Sequence, residues 1–92
     1  LTDYFITMTQ HAVDQVTKWP VCEQQQLQKK LTELAKSPVC LSRPATLYEK
    51  PGYQVFEFAL SETEACKVFF QYGQDEQTLH IAVVARGPAH SH

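Results

Sequence analysis

The sequence predicts one small α+β domain, with two N-terminal helices packed on a mainly antiparallel sheet. Three observations lead there. The chain has 92 residues, 43% of them apolar and 20% charged, which suits one hydrophobic core and is too short for two ordinary domains. Helical periodicity is confined to the residues before Ser37-Pro38. Strand-like segments separated by short turns fill the second half, and helices at one end of a chain with strands at the other form the α+β pattern.

Tyr4-Phe5-Ile6-Thr7-Met8 is dense in aromatic and β-branched residues and reads as a first strand. Thr9 can cap a helix running through Trp19, with Ala12, Val16 and Trp19 on one stripe. Pro20 interrupts that pattern and suits the start of a second helix, where its missing N–H has no intrahelical partner. The second helix is expected over Val21–Lys36, with Leu27, Leu31 and Leu34 inward, and Ser37-Pro38 ends it. Residues 38–46 read as a connector. A short strand is expected at Leu47–Lys50, a turn at Pro51-Gly52, and longer strands at Tyr53–Leu60, Ala65–Tyr72 and Thr78–Ala85. The hairpin-like connections between them favour antiparallel pairing. Residues 1–92 form a single domain in this reading, without repeats or a linker.

Composition narrows the function. Formal net charge is −2, divided as +1 over residues 1–44 and −3 over residues 45–92, so no broad basic surface advertises nucleic-acid binding. Cys22, Cys40 and Cys66 lie too far apart to resemble a disulfide framework or a compact metal motif, and reduced structural thiols are expected. No segment reads as a membrane span or signal peptide, so a cytoplasmic protein is expected. No cofactor is expected, because there is no glycine-rich phosphate loop, HExxH pair or serine-nucleophile elbow. His90 and His92 point to opposite sides of extended chain, a poor start for a shared metal.

The residues with chemical promise lie in the last two strands. Alternation places Lys67, Phe69 and Gln71 on one face of their strand, and His80, Ala82, Val84 and Arg86 on one face of the next. Paired in a suitable register, Lys67 and Arg86 open onto one concavity. Such a cationic pair can hold a phosphate and stabilise a phosphorane, while His90 or His92 moves a proton near neutral pH. RNA supplies its own nucleophile in the 2′-hydroxyl, so neither a metal nor a protein nucleophile is required. Tyr53, Gln54 and Phe56 are candidate RNA contacts, the aromatics by stacking on bases.

The order “YFITMT”, “QHAVDQVTKWP”, “LQKKLTELAKSP”, “PGYQVFEFAL”, “ACKVFFQYGQDEQTLHIAVVARG”, “PAHSH” resembles the RelE/ParE toxins of bacterial toxin–antitoxin systems over nearly the whole chain. The resemblance implies a compact sheet with two N-terminal helices and a cognate antitoxin as partner. It also implies either cleavage of ribosome-associated mRNA or, as in ParE-like members, action on DNA gyrase. By position, Lys67 replaces the arginine of a Tyr-Arg-Val element, Arg86 matches a cation at the end of the last strand, and His90 or His92 falls where a C-terminal tyrosine or histidine acts. Gln54, Phe56 and Phe58 stand where ribonuclease members carry basic residues. That departure, with the acidic balance, admits a non-enzymatic relative as the alternative to a metal-independent endoribonuclease.

Overall fold

The first helix begins where Thr9 stops the opening strand, because its hydroxyl oxygen accepts the otherwise unpaired N–H of Ala12 at 3.2 Å. In the computed structural model, which describes residues 3–89, β1 covers Phe5–Met8, α1 Gln10–Thr17, α2 Val21–Lys36 and α3 Pro38–Leu41. They are followed by β2 at Arg43–Pro44, β3 at Gln54–Ala59, β4 at Glu64–Tyr72 and β5 at Thr78–Pro88. The expectations for His90 and His92 lie outside the described residues.

The five strands form one sheet in the order β1-β5-β4-β3-β2. Neighbours are antiparallel except β1 and β5, which run parallel with Phe5 beside Thr78 and Met8 beside Ile81. The α+β arrangement expected from the sequence is the one observed. α1 and α2 lie on one side of the sheet, where Ala12, Trp19, Leu27 and Leu34 meet Phe56, Phe58, Cys66, Val68, Phe70, Leu79, Ile81 and Val84. Phe70, Leu34, Leu79 and Ile81 are fully enclosed, each contributing about 1.5–3 kcal/mol by burial.

Four details depart from expectation. α1 stops at Thr17, before Trp19, yet the Trp19 ring is buried and its carbonyl accepts Gln24 Nε2 at 2.8 Å. The connector contains the single-turn α3, opened by Pro38, where a proline is tolerated. Leu47–Lys50 is a turn and not a strand: Leu47 and Tyr48 are 84% and 100% exposed, so no sheet face receives them. The edge beside β3 is taken by Arg43–Pro44, and Pro44 is tolerated because an edge strand need not donate on its outer side.

The fourth departure is a bulge in β5. Phe69 faces Val83 but Phe70 faces Ile81, leaving Ala82 as an extra residue. α1 satisfies the backbone groups around it. The Thr9 hydroxyl donates to the Ala82 carbonyl at 2.9 Å, and Gln15 Oε1 accepts the Val84 N–H at 3.0 Å. The bulge reverses the alternation of β5, so Leu79 and Ile81 before it face the helices together with Val84 after it.

Candidate functional site

The sheet side without helices carries the candidate site. β3 presents Glu57 there and β4 presents Lys67, directly opposed across the two strands. On the far side of Lys67 lies Ala85 of β5. Glu57, Ala65, Lys67 and the stretch Ala85–Pro88 line a shallow depression of about 300 Å³. The floor is made of small side chains, which leaves room for a ligand above the Glu57–Lys67 pair.

Residues 45–53, the loop between β2 and β3, lie over the neighbouring part of this face. Glu49 anchors them. Its Oε1 accepts Arg43 Nη1 at 2.9 Å and the Thr46 N–H at 3.0 Å, and its Oε2 accepts Arg43 Nη2 at 3.1 Å and Lys67 Nζ at 2.6 Å. Arg43 also reaches Glu57 at 3.6 Å. The Glu49 side chain is only 12% exposed. The Arg43 guanidinium, then the Lys67 ammonium, then the Thr46 N–H hold its carboxyl well below the usual carboxylate range. The same hydrogen bonds raise the pKa of Arg43.

Arg86 belongs to the lining of this depression, but its guanidinium points elsewhere. It follows the bulge and sits opposite Cys66, on the helix side of the sheet. Its guanidinium stacks over the Trp19 ring at 4.9 Å. Nη1 and Nη2 donate to Glu23 at 2.6 and 3.2 Å, while Nη2 and Nε donate to Glu64 at 2.9 and 3.3 Å. Charge-assisted bonds to two carboxylates push its pKa further up, the Glu23 bond being the larger cause. Lys67 and Arg86 thus line one depression, but the extra residue Ala82 turns the Arg86 guanidinium to the helix side, onto Glu23 and Glu64, and not toward Lys67. His80 does not share a face with Arg86 either; its Nδ1 is 2.6 Å from the Thr7 hydroxyl.

The three expected RNA contacts divide. Phe56 is buried on the helix side, its ring 5.4 Å from that of Phe58, so it is unavailable for base stacking. Gln54 begins β3 on the same parity as Phe56. Tyr53 is half-buried beneath Lys50, whose Nζ is 4.8 Å from the ring centre. The open-face positions of β3 are thus Val55, Glu57 and Ala59, not the three compared with basic residues. Glu57 was legible in principle: Phe56-Glu57-Phe58 is a period-two pattern with its polar member outward. Arg43 and Glu49 carried no comparable signal, because a two-residue strand and a turn bring them together. Among the described residues, no group of three or more His, Cys, Asp or Glu side chains is placed to hold a metal ion. Nor, among them, is any helix long and apolar enough to cross a membrane.

No protein-family profile and no curated sequence matches the chain. Solved structures do. The RelBE2 toxin–antitoxin complex of Mycobacterium tuberculosis contains a chain superposing with TM-score 0.76 at 16% identity, covering 94% of this chain and 100% of that one. The fold is that of the RelE toxins. The intact E. coli RelBE toxin–antitoxin complex gives TM-score 0.67 at 21% identity over 96% of this chain and 99% of that one. A free E. coli RelE variant with two arginines replaced by alanine gives 0.65 at 17% identity over 91% and 83%.

Proposed function

We propose that the chain is a RelE-type toxin: a metal-independent endoribonuclease that cleaves ribosome-associated mRNA in the cytoplasm and is neutralised by a cognate antitoxin. The observation that carries this reading is the Glu57–Lys67 pair facing the depression on the bare side of a RelE-type sheet. A carboxylate beside an ammonium is a minimal apparatus for RNA transesterification. Glu57 accepts the proton of the 2′-hydroxyl, and the 2′-oxygen attacks phosphorus. Lys67, with Arg43 behind it, stabilises the charge gathering on the non-bridging oxygens. The P–O5′ bond breaks, and the departing 5′-oxygen takes a proton from His90 or His92, leaving a 2′,3′-cyclic phosphate. In this assignment Arg86 braces the helices against the sheet.

The test is a reconstituted translation system with mapped RNA ends. Ribosome-dependent cuts ending in a cyclic phosphate, lost in folded Glu57→Gln and Lys67→Gln variants, support the assignment. Cuts that persist in both variants would sink it.

The pairing of both open-face cations with carboxylates favours a second reading, a RelE-fold protein that acts by binding another protein, such as DNA gyrase. Intact RNA together with inhibited supercoiling would select it.

A further inference from the structure

The Glu49 carboxylate sits among donors that other anions can also use. Four hydrogen bonds converge on its two oxygens: a two-pronged guanidinium fork from Arg43, one ammonium and one backbone N–H. A tetrahedral phosphate presents oxygens that the same donors can take, since guanidinium forks and ammonium groups bind carboxylate and phosphate alike. Few other polar contacts fasten the loop that carries Glu49, although Val55 and Phe69 on this face are 1% and 6% exposed. Leu47 and Tyr48 are almost wholly exposed, and the loop's other hydrogen bond to the sheet is from Gln71 Nε2 to the Gly52 carbonyl at a long 3.3 Å. The remaining bonds of the segment are internal or local, such as the Ala45 N–H to the Tyr53 carbonyl at 2.8 Å.

We infer that Glu49 is a built-in anion plug: it occupies an Arg43–Lys67 phosphate site from within, and an incoming ribonucleotide phosphate must displace it. The inference rests on the nuclease reading for the identity of its ligand, and it adds a regulation of that site. The plug keeps Lys67 neutralised and lowers affinity for free RNA, so productive binding needs a substrate held in place by something larger. The same carboxylate keeps Arg43 and Lys67, two cations on strands separated only by β3, from repelling each other when the site holds no phosphate.

The experiment uses pyrophosphate and a single-stranded oligoribonucleotide as probes, with calorimetry on the wild-type chain, Glu49→Gln, and Glu49→Gln combined with Lys67→Gln. Glutamine keeps the size of the side chain and its hydrogen-bonding oxygen but removes the charge that excludes an anion. The expected result is at least a tenfold gain in affinity for both probes in Glu49→Gln, lost again when Lys67→Gln is added. Glu49→Asp, which keeps the charge, should show no such gain and controls for disturbance of the loop. A folded Glu49→Gln variant with unchanged or weaker pyrophosphate binding overturns the plug, whether or not the protein cuts RNA. If pyrophosphate binding rises as expected while the translation assay yields no cuts, the plug stands and the nuclease reading falls.

Discussion

Arg86→Ala should destabilise the fold substantially while leaving the chemistry of each folded molecule intact. Arg86 joins the first turn of α2, through Glu23, to the start of β4, through Glu64, and stacks on Trp19. The contributions can be apportioned by exposure. Glu64 is 44% exposed, so its pair is worth no more than about 1 kcal/mol. The Arg86 and Glu23 side chains are 25% and 22% exposed, and their short fork sits nearer the roughly 1.5–3 kcal/mol of charge-assisted hydrogen bonds. Stacking on Trp19 adds about 0.5–1 kcal/mol. Discounting for solvent screening and for water that replaces part of the lost contacts, the expected loss is about 2–3 kcal/mol. In a chain of this size that lowers Tm by roughly 10–20 °C. Thermal unfolding followed by circular dichroism measures it. Arg86→Lys, which keeps charge but loses the fork, should recover less than half. A Tm within 3 °C of wild type (roughly 0.5 kcal/mol) for Arg86→Ala would refute the clasp, and loss of RNA cleavage at full stability would return Arg86 to the chemistry.

Three further outcomes are expected. The folded-state pKa of Glu49 lies below its ordinary value of 4.5, so its stabilisation is complete above that pH and is lost as pH falls below it; the Tm difference between wild type and Glu49→Gln should shrink from pH 6 to pH 3, and a constant difference would contradict the ion-pair account. Cys22 and Cys40 are exposed whereas Cys66 is buried, with desolvation pushing its thiol up to about 12; a disulfide reagent should titrate two thiols in the native protein and the third only on unfolding, and rapid reaction of all three would count against the packing around Cys66. Phe70→Ala, at a ring with no exposure, should cost about 3–5 kcal/mol, read from the denaturation midpoint; a loss below roughly 1 kcal/mol would mean that the sheet–helix core is not packed around it.

Much of the fold was legible because its elements are long and strongly patterned. Thr9 reads as a cap, Leu27 and Leu34 as an inward stripe, and the three longest strands as aromatic and β-branched runs between turns. The site was less legible because its geometry depends on parity and on short elements. Counting alternate residues along β5 puts His80 and Arg86 on one face. Ala82 breaks that count, and nothing about an alanine among valines signals an extra residue whose backbone is satisfied by Thr9 and Gln15 far away in sequence. Leu47–Lys50 looked like a strand by composition, but pairing with β3 went to Arg43–Pro44. The carboxylates of the face are inconspicuous for a related reason: Glu57 stands between two phenylalanines, and Glu49 reaches Lys67 only through the fold of a turn.

The bulge in β5 also decides which face of the sheet receives the end of its last strand. Were Ala82 paired in regular alternation instead of bulged, every residue after it would be inverted, Arg86 turning out toward Lys67 and Ala85 in toward Trp19, whereas deleting Ala82 would set Val83 next to Ile81 and keep Arg86 on the helix side. The bulge thus separates an arrangement that commits Arg86 to holding the helices from one that turns it to the open face, with Val84 surrendered from the core in exchange. Chains sharing this architecture can differ in the number of cations on one face without any change in their complement of arginines, and counting basic residues in a sequence is a poor guide to how many of them that face carries.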